Sequence, residues 1–151
     1  MAMNERPARR VSIPGLVVSH RGGGFHAELT ASREAFSAVR RTTVAVLVAS
    51  GVARGVAESA ELVVSELMGN VLRASGGGQS VPLVVEVSAT AQGAEVIVQD
   101  AVPEQPHHSG VALDSGMAES GRGLLLLDIL TDCWSVEPAP LGKQVRCHLS
   151  G

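Results

Sequence analysis

Glu61-Leu62-Val63-Val64-Ser65-Glu66-Leu67-Met68-Gly69-Asn70-Val71-Leu72-Arg73-Ala74-Ser75 carries a helical repeat with two unlike sides. At about 100° per residue, Val63, Val64, Leu67, Met68, Val71 and Leu72 fall on one broad apolar side. Ser65, Glu66, Gly69, Asn70 and Arg73 fall on the other. An ordinary solvated helix face is built from Lys, Glu, Gln and Ala. Here Gly69 and Asn70 stand together in the helix interior, where glycine costs roughly 1 kcal/mol relative to alanine and asparagine is also a poor helix former. A local rule broken in this way points to a site. Glu66 and Asn70 are four residues apart, so they share one surface. A carboxylate can act as a base towards a hydroxyl or water, and an amide oxygen can ligate a hard cation such as magnesium. A glycine beside them lets a ligand come close to the backbone. The competing explanation is a solvent-facing stripe with one ill-placed glycine.

Working outward, the period changes from helical to alternating beyond Gly76-Gly77-Gly78. Leu83 to Ala89 reads as a strand, Ala91-Gln92-Gly93 as a hairpin turn, and Ala94 to Asp100 as the returning antiparallel strand. Both strands carry Glu on one side and Val on the other near their starts. A long connection follows, from Ala101 to about Ser120, punctuated by Pro103, Pro106, Gly110 and Gly116. Connections of this length in a compact domain are functional lids or disordered segments. His107-His108 lies in it with no third ligand at a usable spacing, so it reads as polar loop rather than metal site. Gly121-Arg122-Gly123 then opens a hydrophobic helix, Leu124 to Leu130. Free amides and the positive end of a helix dipole suit phosphate there, although a lone Gly-x-Gly before a helix is a weak signal. Asp128 inside this run reads as an exposed helix residue. Two final strands, Cys133 to Glu137 and Lys143 to Leu149, are joined by Pro138-Ala139-Pro140-Leu141-Gly142.

Upstream of the two-faced helix, Phe25, Ala27 and Leu29 give a short strand one apolar face. Thr30 or Ser32 caps a long helix running to about Ser50 and ending at Gly51, with Ala35, Val39, Thr42, Val46 and Val48 as its apolar side. The two-faced helix starts near Ala57-Glu58-Ser59. Residues 1–24, basic at first and ending in Gly22-Gly23-Gly24, read as a flexible tail, with residues 25–151 forming the domain. The strand and helix order is not strictly alternating. It predicts an α/β (α+β) fold, a two-layer sandwich of a mixed sheet with helices on one face.

Composition narrows the function. The 151 residues fit one domain, and aromatics are limited to Phe25, Phe36 and Trp134. A net charge of -3 and so few stacking side chains argue against nucleic acid. No apolar run is long enough for a transmembrane helix, and Val11 to Val18 is too short, and broken by Pro14, for a signal peptide core. Cys133 and Cys147 read as two reduced thiols in a cytoplasmic protein rather than a disulfide framework or zinc site.

Three separated features now stand in order: Glu-x-x-x-Asn on a helix, an Asp ending a strand before a long loop, and Gly-x-Gly-Leu opening a helix after it. This combination resembles the GHKL (Bergerat) ATPase fold of gyrase, histidine kinases and heat-shock chaperones. More narrowly it resembles the actinobacterial anti-sigma-factor type of serine/threonine kinase. Ala60 to Arg73 is similar to that family's N box, and Gly121 to Leu127 to its second glycine box. Cys133-Trp134 and Gly142-Lys143 sit where members have similar residues. The resemblance covers roughly Phe25 to Leu149.

It implies ATP and Mg2+ as cofactors, with Asn70 holding the magnesium and Glu66 as general base towards a serine or threonine hydroxyl. Asp100 would accept from the adenine amino group. Gly121, Arg122 and Gly123 would wrap the phosphates, with Ala101–Ser120 as lid, and Arg73, Leu124 and Lys143 would complete the nucleotide site. The implied partners are a sigma factor and an anti-anti-sigma protein of the STAS type, together with a second copy of the chain, and neither nucleic acid nor membrane. The alternative is a non-catalytic regulatory module on the same fold. The sequence departs from the family pattern at several places. Asp100 is followed by Ala101-Val102-Pro103-Glu104 where the first glycine box runs Asp-x-Gly-x-Gly. Gly69, Val71 and Ala74 replace the common Thr, Ala and His, and Gln144 stands where a threonine often supports adenine through water.

Overall fold

The computed structural model describes residues 13–76, 81–102 and 125–151. Six strands form one sheet: β1 (Leu16–Arg21), β2 (Gly24–Thr30), β3 (Pro82–Ala89), β4 (Gly93–Asp100), β5 (Cys133–Ala139) and β6 (Gly142–Ser150). Their spatial order is β1-β2-β3-β4-β6-β5, with β6 inserted between β4 and the edge strand β5. Two helices, α1 (Arg33–Ala49) and α2 (Arg54–Ala74), and a helical segment at 125–130 complete the described structure.

The two-layer sandwich with helices on one face is the expected architecture. The expectation of a mixed sheet is corrected, because every pairing among the described strands is antiparallel. The connections explain why. Two-residue and short turns join β1 to β2, β3 to β4 and β5 to β6, and such turns only make antiparallel neighbours.

A second correction concerns the amino-terminal region. Residues 16–24, expected to belong to a tail, form β1 and the start of β2. Arg21 pairs with Gly24, so Gly22-Gly23 is a two-residue hairpin turn rather than a linker, and Gly23 supplies the positive φ of +78° that such a turn needs. A Cβ on Gly24 would lie 2.2 Å from the Val87 carbonyl oxygen, so the chain passes β3 at a distance only glycine permits. The glycine run that resembles a flexible segment is a turn followed by a close strand contact.

Alternation along the strands sorts the side chains. Phe25, Ala27 and Leu29 of β2, Leu83, Val85 and Val87 of β3, Ala94, Val96 and Val98 of β4, and Val145, Cys147 and Leu149 of β6 are all buried. They form the sheet's contribution to the core. The opposite face is polar. There Arg146 donates to Glu95 at 2.8 Å and to Glu137 at 3.2 Å, and His26 sits 2.6 Å from Glu86. The Glu95 hydrogen bond, followed by that of Glu137, pushes the Arg146 guanidinium above its ordinary value. The Arg146 hydrogen bond chiefly holds Glu137 below the usual carboxylate range. Glu86 and Glu95 thus occupy the polar side that the sequence pattern assigns to them. Cys147 faces the core, and burial pushes its thiol up to about 12, whereas Cys133 is exposed. Both are free thiols.

Ser32 caps α1, its hydroxyl accepting from the Ala35 amide at 3.0 Å. The buried ladder of α1 is Ala35, Val39, Thr43 and Leu47, which shifts the expected apolar side by one residue at Thr42, Val46 and Val48. Thr43 can be buried because its hydroxyl donates to the Val39 carbonyl at 2.8 Å. Helix α2 begins at Arg54, three residues earlier than expected, and buries Val56, Ala57, Ala60, Val63, Val64, Leu67, Met68 and Val71. Five of the six residues on the predicted apolar face are in that set, and Leu72 is half-buried at its margin. Leu127 of the segment 125–130 reaches the same core, and Asp128 beside it is exposed and accepts from the Trp134 indole at 2.9 Å.

Leu47→Ala would leave a cavity at a fully buried site between α1 and the rest of the core. It is expected to lower the unfolding free energy by about 2–5 kcal/mol in urea denaturation. Val17→Ala on the exposed edge strand is expected to change it by less than about 0.5 kcal/mol.

Candidate functional site

Two groups of polar side chains hold the residues that the sequence pattern singles out. The first lies on α2. With Val63, Leu67 and Val71 buried, Glu66 and Asn70 lie half-buried at the margin of that face and Arg73 is exposed beyond them. There the Arg73 guanidinium folds back along the helix. Its Nη2 donates to Asn70 Oδ1 in a short hydrogen bond and lies 3.9 Å from Glu66 Oε1. Glu66, Asn70 and Arg73 are therefore brought together, as the sequence pattern implies for the first two.

The same guanidinium covers Gly69. A Cβ on Gly69 would sit 3.4 Å from Arg73 Nη1, an ordinary contact. Nothing in the packing of α2 itself therefore demands glycine at 69. The roughly 1 kcal/mol that glycine costs in a helix interior is not offset within the fold. The ion pair over this surface is also weakly held. Glu66 and Arg73 side chains are 33% and 43% exposed, and pairs at such sites contribute about 0–1 kcal/mol. A cation with greater affinity for Asn70 Oδ1 can displace Arg73 at little cost.

The second group lies where β4 ends. Asp100 follows Val96 and Val98 on the helix-facing side of β4, the strand against which α2 packs. Its carboxylate is 2% exposed. Oδ1 accepts from Lys143 Nζ at 2.6 Å and from the Val102 amide at 2.8 Å. Lys143 Nζ also donates to the Val102 carbonyl at 2.9 Å. Asp100 Oδ2 has no hydrogen-bond partner among the described residues. A buried carboxylate whose cation sits on one oxygen and whose other oxygen is open suits a neutral donor such as an amino group.

Gln144 is displaced from the expected adenine support. In the register Gln99↔Gln144 and Asp100↔Lys143, Gln144 points to the polar face of the sheet, where its amide donates to Glu137 at 2.9 Å. Lys143 is the residue beside Asp100. The period of two in a strand requires this: neighbours along β6 face opposite sides. Val102 was not singled out from sequence. It contributes through its backbone, which leaves no signature in residue type.

Gly121, Arg122, Gly123 and Leu124, together with most of the segment Ala101–Ser120, lie outside the described residues. Among the described residues no cluster of His, Cys, Asp and Glu is arranged to hold a metal, so a divalent ion here would be held by Asn70 together with groups of a bound ligand. No helix among them is long and apolar enough to cross a membrane.

The architecture agrees with a comparison to known families. Residues 29–149 match the histidine kinase-like ATPase domain. The chain belongs to this family. It is a member of the GHKL superfamily and carries an ATP-binding histidine kinase-like ATPase domain. Among curated proteins none matches the chain. The donor set is chemically compatible with a nucleotide, with an amide oxygen at Asn70 and a carboxylate at Asp100.

Gly69→Ala separates fold from ligand at this site. It is expected to raise the unfolding free energy by about 0.5–1 kcal/mol, because alanine fits the helix better. It is expected to weaken binding of magnesium-ATP, because its methyl group fills the space above the backbone. Urea denaturation and calorimetry on the same variant read both effects, and an unchanged affinity would remove Gly69 from the site.

Proposed function

We propose that this domain is a protein serine/threonine kinase of the anti-sigma-factor type. In this reading it transfers the γ-phosphoryl group of ATP to a serine or threonine of a small anti-anti-sigma protein of the STAS type and sequesters a sigma factor when that antagonist is phosphorylated. The observation that carries the reading is the position of Arg73. One guanidinium nitrogen donates to Asn70 Oδ1 and lies 3.9 Å from Glu66 Oε1, which supports a reading in which those two oxygens act at one point on α2.

The chemistry assigned to these residues is limited and specific. Phosphoryl transfer depends on positioning and on neutralising charge more than on covalent assistance from the protein. Magnesium, when bound, supplies charge neutralisation at the phosphates. Asn70 would hold it through Oδ1. Arg73, once released from Asn70, is a planar donor suited to phosphate oxygens. Glu66 accepts the proton of the attacking hydroxyl. The hydroxyl oxygen forms its bond to the γ-phosphorus as the bond to the β-phosphate oxygen breaks and ADP departs. Asp100 anchors the base.

A net charge of -3 supports a protein partner over a nucleic acid. Membership of this family alone is compatible with a second reading, a non-catalytic regulatory module. The observation that favours the second is the same guanidinium, which already satisfies the oxygens that catalysis would use.

Two substitutions test the assignment. Asn70→Ala removes the metal-facing oxygen, so calorimetry with ATP is expected to show most of the magnesium-dependent part of the affinity lost. Glu66→Gln keeps shape but removes the base. Single-turnover transfer of radiolabel from ATP to the antagonist is expected to fall by about 10²–10⁴-fold while nucleotide binding is retained. Equal rates for wild type and Glu66→Gln would end the catalytic assignment, and an inactive wild type that still binds nucleotide and partner would favour the regulatory module.

A further inference from the structure

Asp100 has been described as the base anchor, but its environment requires a further residue. A carboxylate that is 2% exposed is costly to hold as an uncompensated charge. A nucleobase cannot compensate it, because the exocyclic amine it offers is a neutral donor. The compensating charge is Lys143, itself 9% exposed, with Nζ 2.6 Å from Asp100 Oδ1. The same Nζ reaches the Val102 carbonyl at 2.9 Å, and the Val102 amide returns to Asp100 Oδ1 at 2.8 Å. These three contacts close a clasp over one carboxylate oxygen only. They fix the last torsion of Asp100 and leave Oδ2 as the open acceptor.

We propose that Lys143 is the positioning residue for base recognition: by clasping Asp100 Oδ1 it presents Oδ2 as a fixed acceptor that selects a purine carrying a 6-amino group. This proposal rests on the nucleotide reading above and adds to it the origin of base selectivity. Lys143 acts through Asp100, so its effect depends on what the ligand carries at position 6. A ligand with hydrogen there offers Oδ2 no donor and leaves a buried acceptor unpaired, which is the situation that binding sites built around a hydrogen bond discriminate against most strongly. A lysine with a purely structural role would weaken all nucleotides alike.

The experiment compares magnesium-ATP with the magnesium complex of purine riboside triphosphate, which has hydrogen in place of the 6-amino group, by calorimetry and thermal shift on the full chain. Wild type is expected to prefer ATP by roughly tenfold or more, the range of a hydrogen bond to a charged group. In Lys143→Met the carboxylate is free to turn, and the preference is expected to collapse to within about threefold. Lys143→Gln is made in parallel, since its polar terminus tolerates the site if methionine does not, and the same ratio is read on whichever variant melts cooperatively. A preference unchanged in the variants, with both nucleotides weakened equally, would overturn the proposal and leave Lys143 a structural residue. A wild type that binds both nucleotides equally would overturn it without reference to any variant. A wild type that binds neither would instead remove the nucleotide reading on which the proposal stands.

Discussion

The structure depends on the packing of one face of α2 against the sheet. Val63, Val64, Leu67, Met68 and Val71 are buried there, and each is placed by the helical repeat. Burial of a residue of this size is worth about 1.5–3 kcal/mol, so the face as a whole holds the helix against rotation. A rotation large enough to bury Glu66 or Asn70 would expose several of these side chains at once and leave a carboxylate or an amide without water. The core therefore sets the position of the site. Glu66, Asn70 and Arg73 meet along one margin of α2 because its buried face has no freedom to turn.

A similar constraint acts at the end of β4. The alternation that buries Val96 and Val98 carries Asp100 to the same side, where a carboxylate would be unstable by itself. Antiparallel pairing with β6 answers this by placing Lys143 directly opposite. The same alternation sends Gln144 to the other face, into the network of Glu137, Arg146 and Glu95. One strand thus serves two surfaces: the space between the layers, with its buried ion pair, and an open face of exposed or half-exposed charges. The open face keeps the sheet polar where no helix covers it, which is the usual condition for an antiparallel sheet packed on one side only.

The two polar groups differ in how firmly they are held, and this matters for the function. Asp100 and Lys143 are buried and paired through Asp100 Oδ1, so they form a rigid floor. Glu66 and Arg73 are a third or more exposed, and their pairing is easily exchanged for another cation or an anion. In the function proposed here, the rigid pair would hold the base fixed while metal, phosphate and an acceptor exchange at the looser cluster.

The helices and most strands were legible from sequence because they rest on local periodicity. A repeat near 3.6 identified α2 and its inner face, a repeat of two identified β3 and β4, and Ser32 marked the start of α1. That Glu66 and Asn70 share one surface of α2 was legible for the same reason, since they stand four apart on a helix. The hairpin of β1 and β2 was not, because Gly22-Gly23-Gly24 has the composition of a linker and only pairing with β3 shows which glycine turns and which one passes a neighbouring strand closely. The antiparallel sense of the whole sheet and the insertion of β6 beside β4 were also decided in three dimensions. With them came the partnership of Asp100 with Lys143 rather than Gln144, a contact spanning 43 residues that no local repeat encodes. Local spacing determines which side chains share a face; which faces meet is decided by strand pairing, and that depends on burying the whole core at once.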